Sequence, residues 1–229
     1  RQKGVIATGA MSDPYNKLEE TINLTRDALK IIKSNGFGVF IMTKSDLIIR
    51  DIDILKEIKQ HSPVVVAMTI TSFDDDLAKI VEPFAPSTSR RFEALEILKS
   101  EGIYAGIMLM PVLPFINDNE ENIIKIVNKS KQINLDFIYP SFGVTLRDNQ
   151  RDYYFDKLDK SFPNLKDKYI KTYGNNYYCE VKNKKKLEDI FAKLNKNNEI
   201  ITDIEKINID YRSRYKKEQL SLFNFNKEV

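Results

Sequence analysis

Short, unbroken apolar runs alternate along this chain with segments in which apolar residues recur every three or four positions. The runs are residues 4–8 (GVIAT), 38–43 (GVFIMT), 64–71 (VVVAMTIT), 104–110 (YAGIMLM) and 135–139 (LDFIY). Asp136 apart, they carry no charged residue and do not alternate, as strands read when both sheet faces are covered. The intervening segments predict helices over 18–33, 52–60, 74–81, 90–100 and 120–133. Ile22, Leu29 and Ile32 share one face of the first, which ends at Asn35-Gly36; Ile54, Leu55 and Ile58 share one face of the second. Ser87-Thr88-Ser89 leads into the fourth, Gly102 closes it, and Asn117-Asp118 is placed to cap the fifth. Five β-then-α units at about 30-residue spacing imply parallel strands with covering helices. The fold class is α/β, either a doubly wound open sheet or a (β/α) barrel. No Gly-rich phosphate fingerprint follows the first strand, which disfavours a dinucleotide-binding sheet.

The rhythm changes near residue 146. Tyr, Lys and Asn become dense, and helices are predicted over 149–172 and 184–196. The division expected is a partial barrel over 1–146, a helical region packed on it over 147–202, and a basic extension or tail over 203–229. With 229 residues, 42% hydrophobic, the chain is long enough to bury a core without disulfides. It has one cysteine, Cys179, which excludes an internal disulfide and a cysteine-rich metal site built from this chain alone. No apolar run approaches the ~18 residues of a membrane span. Arg1-Gln2-Lys3 leads straight into the first apolar run without a secretory leader, so a cytoplasmic location is expected. A formal charge of +3 is too balanced to declare a nucleic-acid partner.

In parallel sheets and barrels, chemistry collects at the carboxyl ends of the strands. Those ends here are Thr8 to Tyr15, Thr43-Lys44-Ser45, Thr69 to Ser72, Pro111 to Pro114 with Asn117-Asp118, and Tyr139-Pro140-Ser141. Several have plain structural readings. Asp13-Pro14 reads equally as a turn, and Ser72 and Asp74 as caps of the next helix. Lys44 is different. A cation directly after a buried strand needs an anionic partner or solvent. His61 falls at the opposite end and is given no role. A Schiff-base amine at Lys44 in an unrelated barrel enzyme is a further option.

The ordered series TGAMSDPYN, MTKSDLIIRDIDIL, TITSFDDDLAKIVEPFAPSTSRRFEAL and GIMLMPVLPFIND resembles the radical S-adenosylmethionine (SAM) superfamily. Within it the likeness is to the spore photoproduct lyase-like group, also called DNA repair photolyases. It runs from about Gly4 to Ile138 and more loosely to about Ile190. The resemblance implies a partial (β/α) barrel of TIM type holding SAM and a [4Fe-4S] cluster, an external electron donor, and a radical that attacks DNA or a related substrate in repair. In that group the cluster sits on a C-x3-C-x2-C triplet after the first strand, and no such triplet is present in this sequence. Residues 4–8 then correspond to the family's second strand. The expectation is a fragment lacking the first β/α unit, in agreement with an N-terminus that is not Met, and inactive alone.

The resemblance also assigns residues. Ser12, beside Asp13, matches a contact to the amino-acid end of SAM. Lys44 matches a lysine that pairs with its carboxylate. Thr69 and Ser72 fall where hydroxyls reach the ribose or carboxylate. Arg91 follows the Glu-Pro motif, with Glu82 placed to hold it, and Pro111 packs toward adenine. Ala10 stands where true spore photoproduct lyases carry a hydrogen-donor cysteine, which puts thymine-lesion reversal in doubt.

The segment Gln219-Leu220-Ser221-Leu222-Phe223 resembles the pentapeptide by which bacterial repair proteins bind the sliding clamp. Leu222 and Phe223 would enter an apolar pocket, with Gln219 at its rim; the same apolar residues alternatively pack back on the domain. A clamp-tethered, non-catalytic DNA-binding protein is therefore the second hypothesis. Basic and aromatic residues from Arg147 to Lys186 give a weaker hint of a surface that tracks a nucleic-acid strand.

Overall fold

A computed structural model describes residues 3–197 and 200–215 of the chain. Five parallel strands form one open sheet in the order β1 (Val5–Thr8), β2 (Gly38–Thr43), β3 (Val64–Thr69), β4 (Tyr104–Leu109) and β5 (Phe137–Pro140). Each strand pairs with its sequence neighbour, as successive right-handed crossovers produce. The curved sheet is a partial barrel, open at both edges among the described residues. Ile201 adds one parallel bridge to Phe137 beyond β5.

Alternate residues of the strands enter two separate cores. Val39, Ile41, Val66, Met68, Ile107 and Leu109 face the outer helices. There they meet Leu29 of α2 (Leu24–Ser34), Leu55 of α3 (Ile52–Lys59), Leu95 of α5 (Thr88–Ser100), Ile126 of α6 (Glu120–Gln132) and Phe191 of α9 (Lys184–Leu194). Val65, Ala67, Tyr104, Met108 and Phe137 face the other way. Both sets are buried, which is why the strands read as continuous apolar runs.

The inner face is covered by α10 (Ile204–Ser213), the stretch expected to be an extension or tail. Asp203 caps this helix, its side chain accepting from the Lys206 amide. Ile207 and Tyr211 are buried against the sheet, and the Tyr211 ring meets Phe40 at 6.1 Å and Tyr104 at 6.2 Å. Arg214 lies over Tyr104 and bonds Asp136. These contacts put α10 over the amino-terminal half of the inner face. Met108 and Met42, nearer the carboxyl ends, belong to the same cluster.

Other departures from the sequence reading have local causes. The first predicted helix breaks at Asn23, whose φ of 54° separates α1 (Glu19–Ile22) from α2. The helix predicted over 149–172 is two, α7 (Asp148–Ser161) and α8 (Leu165–Tyr173). Pro163 cannot continue the hydrogen-bond ladder, and Asn164 turns left-handed at φ 67°. Flanking this helix pair, β6 (Gly143–Thr145) before α7 and β7 (Tyr178–Glu180) after α8 form an antiparallel ribbon whose three-residue strands are too short to show periodicity. Asn119, not Asn117-Asp118, caps α6, and Asp74 caps α4 (Asp75–Val81).

Candidate functional site

Parallel pairing brings the carboxyl ends of β1, β2 and β3 to one edge, and the loops there close round a cavity of about 220 Å³ lined by Ser12, Asp13, Lys44 and Thr69. Four of the seven residues singled out as cofactor contacts are thus brought together. Asp13 and Lys44 also line a wider adjoining cleft of about 1050 Å³, bounded by Glu82 and Phe84.

Asp13 acts as a tie between strands. Its Oδ1 accepts from the Thr43 hydroxyl at 2.6 Å and from the Tyr15 amide at 2.9 Å, and its Oδ2 accepts from the Lys44 amide at 2.7 Å. The carboxylate spends its acceptors on backbone and hydroxyl, and so fixes the loop carrying Ser12 against the end of β2. Gly9 makes the approach possible. Its φ is 96°, and a Cβ there would fall 1.9 Å from the Met42 carbonyl oxygen.

Lys44 has a partner within the chain. Its ammonium is 3.5 Å from Glu82, with the lysine side chain 40% exposed. Glu82 is held far more firmly by Arg91, at 2.6 Å, as the resemblance implied. The Arg91 side chain is fully buried; Nη1 also donates to the Thr69 carbonyl at 2.8 Å and Nε to the Pro86 carbonyl at 2.9 Å. Nη2 of Arg91 is buried without a hydrogen-bond partner. Arg91 thus acts from behind, neutralised by Glu82 and bracing the end of β3, while Lys44 remains loosely paired and facing the cavity.

The other two residues lie elsewhere. Ser72 is buried, donates to the Asp74 carbonyl at 3.3 Å and lines a separate groove between α4, α5 and α6, not the cavity. Its position is that of a loop brace, so the expectation of a shared site is corrected for this residue. Pro111 follows a cis peptide bond at the end of β4 and lines neither cavity.

The sequence reading missed what holds the β1 loop down. Asp51 is fully buried and accepts from Tyr15 at 3.1 Å, Arg26 at 2.8 Å and Arg50 at 2.9 Å. Glu19, also buried, accepts from Arg50 at 2.7 Å and from the Thr25 amide at 2.9 Å. Burial pushes the Asp51 carboxyl up, and the hydrogen bonds of Arg50 and Arg26 more than reverse it, leaving the group below its ordinary value. No local motif marks such a network, since its members lie on the loop after β1, on α1, on α2 and on the 3-10 segment Asp46–Asp51.

Two cofactors are expected, and the residues suit them differently. An ammonium, two hydroxyls and the open backbone of a glycine loop suit the carboxylate and hydroxyl groups of SAM. A [4Fe-4S] cluster needs thiolates. Cys179 is fully buried, in a third core with Phe155, Leu158 and Tyr169, and burial pushes its thiol up. No group of three or more His, Cys, Asp or Glu suited to a metal occurs among the described residues. These residues do not hold a cluster. The pentapeptide Gln219 to Phe223 lies outside the described residues. No described helix is long and apolar enough to cross a membrane.

The radical SAM superfamily model matches residues 2–127, more than half of the chain, and the chain belongs to that superfamily. The relatives include the uncharacterized protein MJ0683 of Methanocaldococcus jannaschii, 38% identical over 118 residues, covering 52% of this chain and 44% of that protein. The uncharacterized protein Rv2578c of Mycobacterium tuberculosis is 25% identical over 193 residues, covering 84% of this chain and 56% of that one. The chain spans about half the length of these relatives. Among solved structures, spore photoproduct lyase complexed with dinucleoside spore photoproduct superposes with a TM-score of 0.58 at 15% identity, covering 84% of this chain and 58% of that one. The shared fold is that of a partial radical SAM barrel.

Proposed function

We propose that the chain is the SAM-binding part of a radical SAM enzyme whose substrate is DNA or a related nucleic-acid molecule. One observation carries this: Ser12, Asp13, Lys44 and Thr69, from three strand ends, line a single cavity. In this reading Lys44 takes the SAM carboxylate by exchanging its long contact to Glu82 for a charge-assisted bond, while Glu82 stays with Arg91. Ser12 and Thr69 offer hydroxyls to the amino-acid end and ribose, and Asp13 holds their loops in register. In this superfamily SAM supplies a 5′-deoxyadenosyl radical when it lies beside a reduced cluster. The thiolates for that cluster are not among these 229 residues. The fold shared with spore photoproduct lyase supports a nucleic-acid substrate, and Ala10 separates this chain from that enzyme's own hydrogen donor.

Equilibrium dialysis with labelled SAM tests the reading. Binding that is lost in Lys44→Ala and kept in an exposed-lysine control such as Lys171→Ala is expected. Absent binding to the wild-type chain, or equal binding by Lys44→Ala, removes it.

A further inference from the structure

The segment Glu82-Pro83-Phe84-Ala85-Pro86 lies between α4 and α5 and walls the wider cleft beside the cavity. Its two prolines fix their own φ angles, and the Ala85 amide donates to the Glu82 carbonyl at 3.0 Å. Both ends of the segment are clamped on one buried guanidinium. Arg91 Nη1 holds the Glu82 carboxylate at 2.6 Å, and Nε donates to the Pro86 carbonyl at 2.9 Å. Between these anchors Phe84 is 100% exposed. A single apolar side chain on a surface needs no explanation. A ring held out over a cleft by a segment this firmly anchored is preorganised, and an occupant covering it would remove its apolar area from water without first having to order it.

The cleft, of about 1050 Å³, continues from the cavity, since Asp13 and Lys44 line both. Its lining charges balance, four cationic side chains against four carboxylates. Most of them are satisfied within the chain. Arg90 meets Asp46 at 2.5 Å, Arg50 meets Glu19 at 2.7 Å, and Lys44 meets Glu82 at 3.5 Å. A surface neutralised in this way does not select a phosphate. What it offers is an apolar wall of Leu47, Pro83, Phe84, Ala85 and Pro86, suited to a flat, uncharged group.

We infer that Phe84 is a stacking platform for an unpaired base of the substrate strand, seated in this cleft beside the cofactor. The inference rests on the nucleic-acid part of the proposed function and names the surface that takes the strand. Every base has a π-face, so a ring can hold any of them without hydrogen-bond readout. The orientation assigned to SAM keeps its own adenine elsewhere. Lys44, which lines both spaces, takes the carboxylate, whereas Thr69, which lines the cavity and not the cleft, takes the ribose. On that reading the nucleoside end points away from Phe84.

The chain contains no Trp, so Phe84→Trp places a sole indole on the cleft. Its emission should be quenched when the 229-residue chain is titrated with a single strand of about 12 nucleotides. Anisotropy with a labelled strand gives the energetics. Phe84→Ala and Phe84→Leu should each lose about fivefold or more in affinity, the low end of what one stacked base contributes, and Phe84→Tyr should stay within about twofold of wild type. Ile170→Ala, at a 47% exposed apolar position on α8, should match wild type. Melting temperatures should not move, because the Phe84 side chain packs against nothing. Wild-type affinity in Phe84→Ala overturns the platform and leaves the nucleic-acid reading standing. Wild-type affinity in Phe84→Leu also overturns it, because an apolar contact would then suffice. Loss of SAM binding in Phe84→Ala would assign the ring to the cofactor's adenine instead. No strand binding by the wild-type chain removes the nucleic-acid reading itself, and this site with it.

Discussion

Tyr15 and Asp51 lie 36 positions apart in sequence, and the phenol of one donates to the fully buried carboxylate of the other at 3.1 Å. Through that bond the loop carrying Ser12 and Asp13 is anchored to the helix layer outside β2. Asp51 keeps Arg26 and Arg50 when Tyr15 is changed to Phe, so the expected cost is that of one hydrogen bond to a charged group, about 1.5–3 kcal/mol. Changing Asp51 to Ala removes all three bonds at once, while Arg26 keeps Asp53 and Arg50 keeps Glu19, so the loss should exceed that of Tyr15→Phe, at about 3 kcal/mol or more. Urea unfolding followed by circular dichroism gives both numbers. A Tyr15→Phe cost equal to that of Asp51→Ala would show that the phenol, not the ion network, holds the loop.

The same network sets an acid limb. Burial raises Asp51 and Glu19, and the hydrogen bonds made to each outweigh it, so both folded-state values are lowered. A carboxyl lowered by folding contributes stability that is present above its unfolded value. That stability is lost as pH falls through the folded one. Stability should therefore hold from neutrality down to about pH 4, the ordinary carboxylate range, and decline below it. Thermal melts between about pH 7 and pH 3 should show this decline in wild type and a shallower one in Asp51→Asn. Parallel curves would assign the acid limb to other carboxyls.

Glu82 stands between one cation that the fold needs and one that it does not. Arg91 is fully buried and Lys44 is partly exposed. Lys44→Ala should leave the melting temperature nearly unchanged and weaken SAM more than tenfold, about 1.4 kcal/mol. Glu82→Gln should instead destabilise the fold by about 3–5 kcal/mol, because it strands the Arg91 guanidinium. Differential scanning calorimetry beside SAM dialysis reads both effects. A Glu82→Gln protein as stable as wild type would mean that the Arg91 charge is met elsewhere.

Much of the fold is legible in the residues, and what is not has physical causes. The strands β2, β3 and β4 show because both faces of each are largely buried, so apolar character marks them, whereas β1 lies at the sheet edge with Ile6 exposed and shows through its apolar residues alone. Lys44 shows because a cation at the end of a buried strand demands an anion, and Glu82 with Arg91 follows from a resemblance. The Tyr15–Asp51 network stays hidden because its members meet only in three dimensions. Ser72 looks like Thr69 in sequence, three positions on, yet the strand ends at Thr69 and the chain turns outward before Ser72. The helix α10 reads as tail because its buried apolar residues, Ile207 and Tyr211, are sparse among charges. They suffice because they need only cover a strip of sheet already lined by Tyr104 and Phe137.

Ile207 lies on that strip, fully buried between α10 and the inner sheet face, and among the described residues its core cluster draws on no other helix. Truncating it to Ala removes three methyl or methylene groups from a site walled by strands, which relax little around a void. The loss should be about 2–5 kcal/mol. Ile209, 68% exposed on the opposite side of the same helix, should cost under about 0.5 kcal/mol when changed to Ala. Urea midpoints for the two variants compare a buried and an exposed isoleucine on the same helix. Equal, small shifts would mean that α10 detaches from the sheet in solution and that the inner face is open along its whole length. A large shift for Ile207→Ala alone makes α10 the floor of the barrel, held to the inner sheet face by its buried apolar residues.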